Sequence, residues 1–293
     1  MDGAIVVDKQ AGWTSHDVVG KTRRILNTKK IGHLGTLDPI ATGVLPLVVG
    51  RATRLARFYI QSDKIYEAVI RFGFSTDTYD RAGTPTSPET EPAIDAAELE
   101  AHLAQFRGEI RQVPPAISAK KVDGVRAYKL ARRQVAFELE PVQVHVYELA
   151  LLNVTGPRAS VRAHCSGGTY LRSIAHDLGQ AMGCGAHLEE LRRTMSGDFT
   201  LEQAKTIPEL EQMAAEARVS EALIPASQLL PAFPSAYVEP GVAGQIRQGR
   251  NFPISPFRTP SGAKYVKAVT REGELIAIGE AVLPNLYHPL VVL

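Results

Sequence analysis

The fifteen residues from Gly32 to Pro46 contain three glycines and two prolines, and they limit what this chain can fold into more than any other stretch. Glycine admits positive φ, whereas proline locks φ and removes a donor, so regular structure is disfavoured here. The apolar run Val44-Leu45-Pro46-Leu47-Val48-Val49 follows at once and reads as a buried strand. The loop is therefore pinned to a core on one side, and its single carboxylate, Asp38, sits on a rigid rim. In an isolated Asp-Pro step a turn cap is the plainer reading. A carboxylate on a pinned loop can instead be aimed, and loops held this way carry function more often than they fill cores.

Length and composition set outer bounds. A chain of 293 residues with 44% hydrophobic content can bury a substantial core, in one large domain or two. No apolar run approaches a membrane-spanning length, and Met1 to Ile5 show no basic flank leading into an apolar stretch, so no secretory leader is expected. Cys165 and Cys184 are too few for a disulfide framework, and a reduced cytoplasmic protein is the expectation. The net charge of +2 neither suggests nor excludes a nucleic-acid partner. Its distribution says more. Residues 107–133 carry Arg107, Arg111, Lys120, Lys121, Arg126, Lys129, Arg132 and Arg133 against Glu109 and Asp123, and residues 240–271 carry six Lys or Arg and no acid. Such segments suit a phosphate-tracking surface; they are also compatible with ordinary solvated faces.

The periodicity predicts a strand over residues 4–8, then a helix capped by Thr14 or Ser15 with Val18, Val19, Ile25 and Leu26 on one face. Residues 65–72 read as a strand and 83–92 as a loop. Asp95 with Glu98 resembles a capping box for a helix carrying Leu99, Leu103 and Phe106. Alternation at Val142, Val144 and Val146 predicts a half-buried strand, and another runs from Ala159 to Cys165. After Gly167-Gly168, Leu171, Ile174, Ala175, Leu178 and Met182 share a helical face that Gly183 ends. Residues 201–232 read as helical and acidic. From Ala236 on, short β-like runs at 265–270, 275–281 and 290–293 suggest a small β-rich module. The sum argues for an α+β fold.

The loop resembles the catalytic motif of the TruB-type tRNA pseudouridine synthases, G-H-x-G-x-L-D-P-x-A-T-G-x-L, with every fixed position present from Gly32 to Leu45. The resemblance extends through Asp8 to Asp17, through Lys64-Ile65-Tyr66-Glu67-Ala68, Gly73 and Thr78-Tyr79-Asp80, and through Gly167 to Ser173 and Gly185 to Thr194. Gln10 departs from it, standing where the family usually has proline. The last sixty or so residues match more weakly. This resemblance implies the pseudouridine synthase fold, a mixed and largely antiparallel sheet with flanking helices, over residues 1–232. A PUA-like RNA-binding domain would then occupy 233–293. It implies isomerisation of the T-loop uridine conventionally numbered 55 in tRNA, by extruding the base from the RNA stack, without a metal or other cofactor. No membrane and no obligate protein partner are implied, and a monomer is expected.

The same resemblance implies roles for single residues. Asp38 would be the nucleophile or base. Tyr66 would be the aromatic partner of the base and His33 the residue filling the vacated space. Tyr170 and Leu191 would wall the pocket, while Arg172 would pair with Asp38 and Asp80. The basic loop at about 112–134 would close over RNA through Lys120, Lys121, Lys129, Arg132 and Arg133. Taken singly, each of these residues has an ordinary packing or surface explanation. Two other readings stay open from the residues alone: an RNA-binding or RNA-folding protein with incidental catalysis, and a hydrolase using Asp38. Cys165 and Arg172 are spaced one residue too far for a Cys-loop-Arg phosphatase. No P-loop or G-x-G-x-x-G is present, and His164, Cys165, Cys184 and His187 make a poor zinc set because strand neighbours face opposite ways.

Overall fold

The computed structural model describes residues 1–118, 120–122, 124–127, 130, 133, 135–254 and 262–293. Its frame is a ten-stranded sheet. The strands are β1 (Gly3–Lys9), β2 (Ile31–His33), β3 (Thr42–Val49), β4 (Lys64–Phe72), β5 (Gly108–Gln112), β8 (Val142–Thr155), β9 (Arg158–Cys165), β10 (Ala186–Ser196), β11 (Phe199–Thr200) and β12 (Ile224–Pro225). Between β5 and β8 lies a separate two-stranded hairpin, β6 (Lys121–Val122) with β7 (Val125–Arg126). The path across the sheet is β12-β1-β3-β10-β4-β9-β8-β5, with β2 edging β3 and β11 edging β10. Its pairs are antiparallel except β3 with β10, which are parallel through Arg192↔Thr42 and Arg193↔Gly43.

Both faces of this sheet are apolar, so both must be covered. Ile5, Val7, Leu45, Leu47, Tyr66, Ala68 and Leu191 face one way. Against them pack α1 (Ser15–Ile25), α2 (Ala96–Ala104), α3 (Leu171–Ala181) and α4 (Ile207–Ala215). Thr14 caps α1 in a full capping box with Asp17. Asp95 caps α2 by accepting from the Glu98 amide; that helix stops at Ala104, short of Phe106. On the opposite face Ala4, Val6, Val44 and Val48 meet Leu55 of a 3-10 helix, Gly50–Phe58, and Tyr59 just beyond its end.

The C-terminal region forms a second sheet of β13 (Ser235–Tyr237), β14 (Phe252–Pro253), β15 (Tyr265–Val269), β16 (Leu275–Leu283) and β17 (Leu286–Val292), in the order β13-β15-β16-β17-β14. A helix, α5 (Pro240–Arg247), packs on it. Val269, Leu275, Ile278, Val291 and Leu293 join the core under the main sheet.

One expectation needs correction. Residues 201–232 are not a helical run: only α4 is α-helical, flanked by 3-10 turns at 201–203, 219–222 and 226–228 and by β12. Ala217 takes positive φ just past α4, and Pro225 and Pro231 bar continuation. The C-terminal region is β-rich, as its short runs predict, and it also carries α5, which begins at Pro240, a residue preset for a first helical turn. The central strand β10 carries no legible alternation, because bulges between Leu188 and Glu190 and between Arg193 and Met195 break its period. Among the described residues, no helix is long and apolar enough to cross a membrane.

Candidate active site

Asp38 lies in the loop joining β2 to β3, and that loop is fastened from beneath. The Ser15 hydroxyl donates to the Leu37 carbonyl at 3.2 Å and accepts from the Leu37 amide at 2.9 Å. The Gly12 amide donates to the Pro39 carbonyl at 2.8 Å. Lys9, with no exposed surface, places its ammonium on the carbonyls of Gln10, Trp13 and Pro39. On the far side Arg193, only 1% exposed, donates to the carbonyls of Gly35, Thr36 and Val44. Each of these carbonyls thus has a donor, and the loop has few ways to move.

The parallel β3–β10 pair brings Arg193 to this position. Gly43 has φ +98°, and a Cβ there would meet the Arg193 carbonyl oxygen at 2.2 Å, so only glycine allows the two strands this approach. In the β10–β4 register Leu191 opposes Ala68 and Arg193 opposes Tyr66. Cross-strand partners share a face, so Leu191, Arg193 and Tyr66 all turn toward the Asp38 loop.

Arg172, in the first turn of α3, is 4% exposed and reaches four groups. Its Nη2 donates to Asp38 Oδ1 and to the Ile117 carbonyl, each at 3.0 Å, and its Nη1 donates to the Thr78 carbonyl at 3.1 Å. Nε lies 2.9 Å from Asp38 Oδ2 as an electrostatic contact without hydrogen-bond geometry. Asp80 Oδ2 stands 3.7 Å from Nη1, while Asp80 Oδ1 accepts from the Thr78 hydroxyl and the Ala82 amide. One buried cation therefore faces two carboxylates, and its planar fork fixes the orientation of the first. The Asp38 side chain keeps 30% of its surface exposed.

Asp38 and Arg172 line a cavity of about 230 Å³ with Tyr66, Lys64, Tyr170, Leu191 and Ser118. The volume suits one flat heterocycle. Burial pushes the Tyr66 phenol above its ordinary pKa, and the neighbouring Arg193 guanidinium only partly offsets this, so the ring is neutral at physiological pH. Burial likewise raises Tyr170, beside the Ser118 hydroxyl. The Tyr170 backbone is bracketed by Gln112, which donates to its carbonyl at 3.0 Å and accepts from its amide at 2.8 Å. Lys64, 6% exposed, donates to the carbonyls of Ile60 and Ser62, and burial lowers its pKa to about 8. A carboxylate held at the mouth of a pocket with a neutral aromatic wall can attack, or take a proton from, a ring or sugar placed there.

The structure therefore brings Asp38, Tyr66, Tyr170, Arg172 and Leu191 to one cavity, with Asp80 behind Arg172. His33 is not among the cavity's walls: it ends β2, its ring edge-on to His16 at 5.6 Å. Lys120 and Arg133 are exposed. Lys121 belongs to β6, whereas Lys129 and Arg132 lie outside the described residues. Cys165 is buried in β9, and its thiol is pushed up to about 11. Among the described residues no three His, Cys, Asp or Glu side chains converge as metal ligands would. Sequence reasoning gave no individual role to Lys9, Lys64, Gln112, Ser118 or Arg193. The pair Arg192-Arg193 in a stretch that also carries apolar residues was the one available signal, because an arginine in a central strand must find acceptors.

Comparison with known proteins agrees over nearly the whole chain. The model of the TruB family pseudouridylate synthase N-terminal domain matches residues 23–171, and that of the tRNA pseudouridylate synthase B C-terminal domain matches 172–231. The tRNA pseudouridine synthase B of Solibacter usitatus is 66% identical over 293 residues, covering 100% of both chains. That of Stutzerimonas stutzeri is 42% identical over 286 residues, covering 96% of this chain and 92% of its own. Among solved structures, a chain of the archaeal box H/ACA sRNP Nop10-Cbf5 complex superposes with a TM-score of 0.71 at 26% identity, over 99% of this chain and 85% of that one. An H/ACA RNP bound to a substrate RNA containing 2′-deoxyuridine gives 0.71 at 25% identity, over 99% and 84%.

Proposed function

Because the chain belongs to the TruB family of pseudouridylate synthases, we propose that it isomerises uridine to pseudouridine in the T-loop of tRNA, at the position conventionally numbered 55. The observation that carries this reading is the Asp38 carboxylate, clamped by buried Arg172 at the mouth of a base-sized cavity walled by Tyr66 and Leu191. The reaction breaks the bond from ribose C1′ to uracil N1, turns the base and joins C1′ to C5, while the C5 proton is lost and N1 gains one. Nothing is oxidised or reduced, and no cofactor enters the stoichiometry. Asp38 is the group placed to act on the ribose or the base, with its charge held by Arg172. Tyr66 supplies the face on which the extruded uracil rests, Tyr170 and Leu191 its walls, and Asp80 steadies Arg172. His33, beside the cavity, fills the space that the base leaves in the RNA.

Residues 1–232 form the catalytic domain in this reading, and 233–293 a PUA-like RNA-binding domain. The chain works as a monomer without an obligate protein partner. The segment 112–134 contacts the RNA backbone through Lys120, Lys121, Lys129, Arg132 and Arg133. Its entry is tied to the cavity by Gln112, by the Ser173 hydroxyl donating to the Val113 carbonyl at 2.8 Å, and by Arg172 on Ile117. Mapping modified uridines in a tRNA transcript after incubation with the purified chain tests the proposal. Wild type is expected to convert the T-loop position. Asp38→Asn is expected to convert none while binding RNA within about tenfold of wild type, since the amide is nearly isosteric but a poor nucleophile. RNA binding without conversion by wild type would leave a tRNA-binding protein instead.

A further inference from the structure

A second concave surface lies on the other flank of the Asp38 loop. It is a groove of about 460 Å³ along the outer face of α1, lined by Trp13, His16, Asp17, Gly20, Lys21 and Arg24. Asp17, Gly20, Lys21 and Arg24 follow the helical repeat of α1 and form one stripe, and Trp13 stands just before the Thr14 cap at its head. Trp13 is half-buried: one part packs on the main core, and its carbonyl is held by Lys9 at 2.7 Å. The indole is therefore a fixed platform. Gly20 leaves the groove floor open, for a Cβ there would meet nothing within 4 Å.

The charge of this face is positive. Arg24 lines the groove, and Lys29 and Lys30 follow in the connection from α1 to β2; all three are exposed, and among the described residues none of them pairs with a carboxylate. Lys21 pairs with Glu211. The groove's one carboxylate, Asp17, is taken up by Thr14, whose amide and hydroxyl both donate to it. An aromatic platform beside unpaired cations is the chemistry that holds single-stranded nucleic acid, by stacking on the ring and pairing with phosphates. The groove also adjoins the Asp38 loop: Gly12 bonds Pro39, Ser15 bonds Leu37, and the rings of His16 and His33 meet.

Resting on the isomerase reading above, we propose that this groove is a second RNA subsite. It takes the unpaired strand adjoining the target nucleotide, with a base on Trp13 and phosphates on Arg24, Lys29 and Lys30. Its residues lie outside both basic segments of the sequence, 107–133 and 240–271.

Trp13 is the only tryptophan of the chain, so its emission reports this groove alone. A T-arm stem-loop RNA titrated into the full chain is expected to quench that emission, saturating with binding. The combined variant Arg24→Gln, Lys29→Gln, Lys30→Gln is expected to bind several-fold more weakly. Its log–log salt slope should be shallower by up to about 0.9 for each phosphate the variant no longer neutralises. A thermal scan of the variant distinguishes weaker RNA binding from an unfolded chain. Emission unchanged at RNA concentrations that saturate conversion, or an unchanged salt slope, overturns the subsite. Pseudouridine formed from the same RNA by wild type is measured in parallel. Conversion with a silent Trp13 refutes only the subsite, whereas quenching without conversion refutes only the isomerase reading.

Discussion

Arg172 and Arg193 show how two arginines can share a site and differ in work. Arg172 directs its donors to the carboxylate of Asp38 and two carbonyls, so it orients a side chain; Arg193 directs its own to the carbonyls of Gly35, Thr36 and Val44, so it holds backbone. Two lysines lie beneath and beside them. Burial lowers Lys9 and Lys64 to about 8, because an ammonium taken from water is disfavoured relative to the amine. Below pH 8 both are protonated in the folded and unfolded chain alike. Between about 8 and 10.5 the unfolded chain keeps protons that the folded chain sheds, so stability rises with pH across that window. Cys165 acts in the opposite sense from about 9 to 11, where the unfolded thiol ionises and the buried one does not. The urea midpoint is therefore expected to be higher at pH 9 than at pH 8, with the increment smaller in Lys64→Met. A flat or falling midpoint in wild type would contradict the burial of these ammonium groups.

At the scale of elements, β10 decides the site. It lies between β3 and β4 and pairs with both, and it sets Arg193 against the Asp38 loop and Leu191 beside Tyr66. That junction depends on Gly43. Gly43→Ala would force positive φ on a residue with a side chain and drive a methyl into the Arg193 carbonyl. The expected cost is about 2 kcal/mol or more. This corresponds to a drop in Tm of about 5 °C, measurable by calorimetry. Turnover should fall further than stability alone explains, because the loop carrying Asp38 begins to shift as β3 moves off β10. A variant with wild-type Tm and turnover would mean that the strands can part without consequence.

For the whole molecule, the C-terminal sheet is fastened to the rest by shared core. Phe58 stands edge-on to Phe233 and Tyr265 at 5.4 and 5.5 Å, Tyr59 accepts from the Leu230 amide at 2.7 Å, and buried Lys267 donates to the carbonyls of Ser227 and Leu229. Arg54 reaches the Val292 carbonyl at 2.6 Å. Removing residues 233–293 would uncover the apolar face around Val6, Val48 and Leu55. The truncated chain is expected to melt well below the full chain and to scatter light on standing, as thermal scans and static scattering would register. A monodisperse truncation with unchanged Tm would mean that this face needs no cover.

The chain's own pattern was enough for much of this. Local physics governs helix caps and strand alternation, so α1, α3, β4, β8 and β9 are legible at Thr14, at Leu171 to Met182 and along the alternating apolar residues of the strands. A rigid Gly- and Pro-rich loop with one carboxylate, followed by a buried strand, marks Asp38 before any fold is known. Family resemblance then gathers Tyr66, Arg172 and Leu191 around it. Other features depend on partners distant in sequence. Arg193 belongs inside the protein only because Gly35, Thr36 and Val44, about 150 residues earlier, offer their carbonyls there. The α1 groove exists only because Trp13 is seated on a core assembled from the whole sheet. Tertiary structure decided these because burial of a charge, or exposure of an aromatic ring, is settled by what stands opposite it in space.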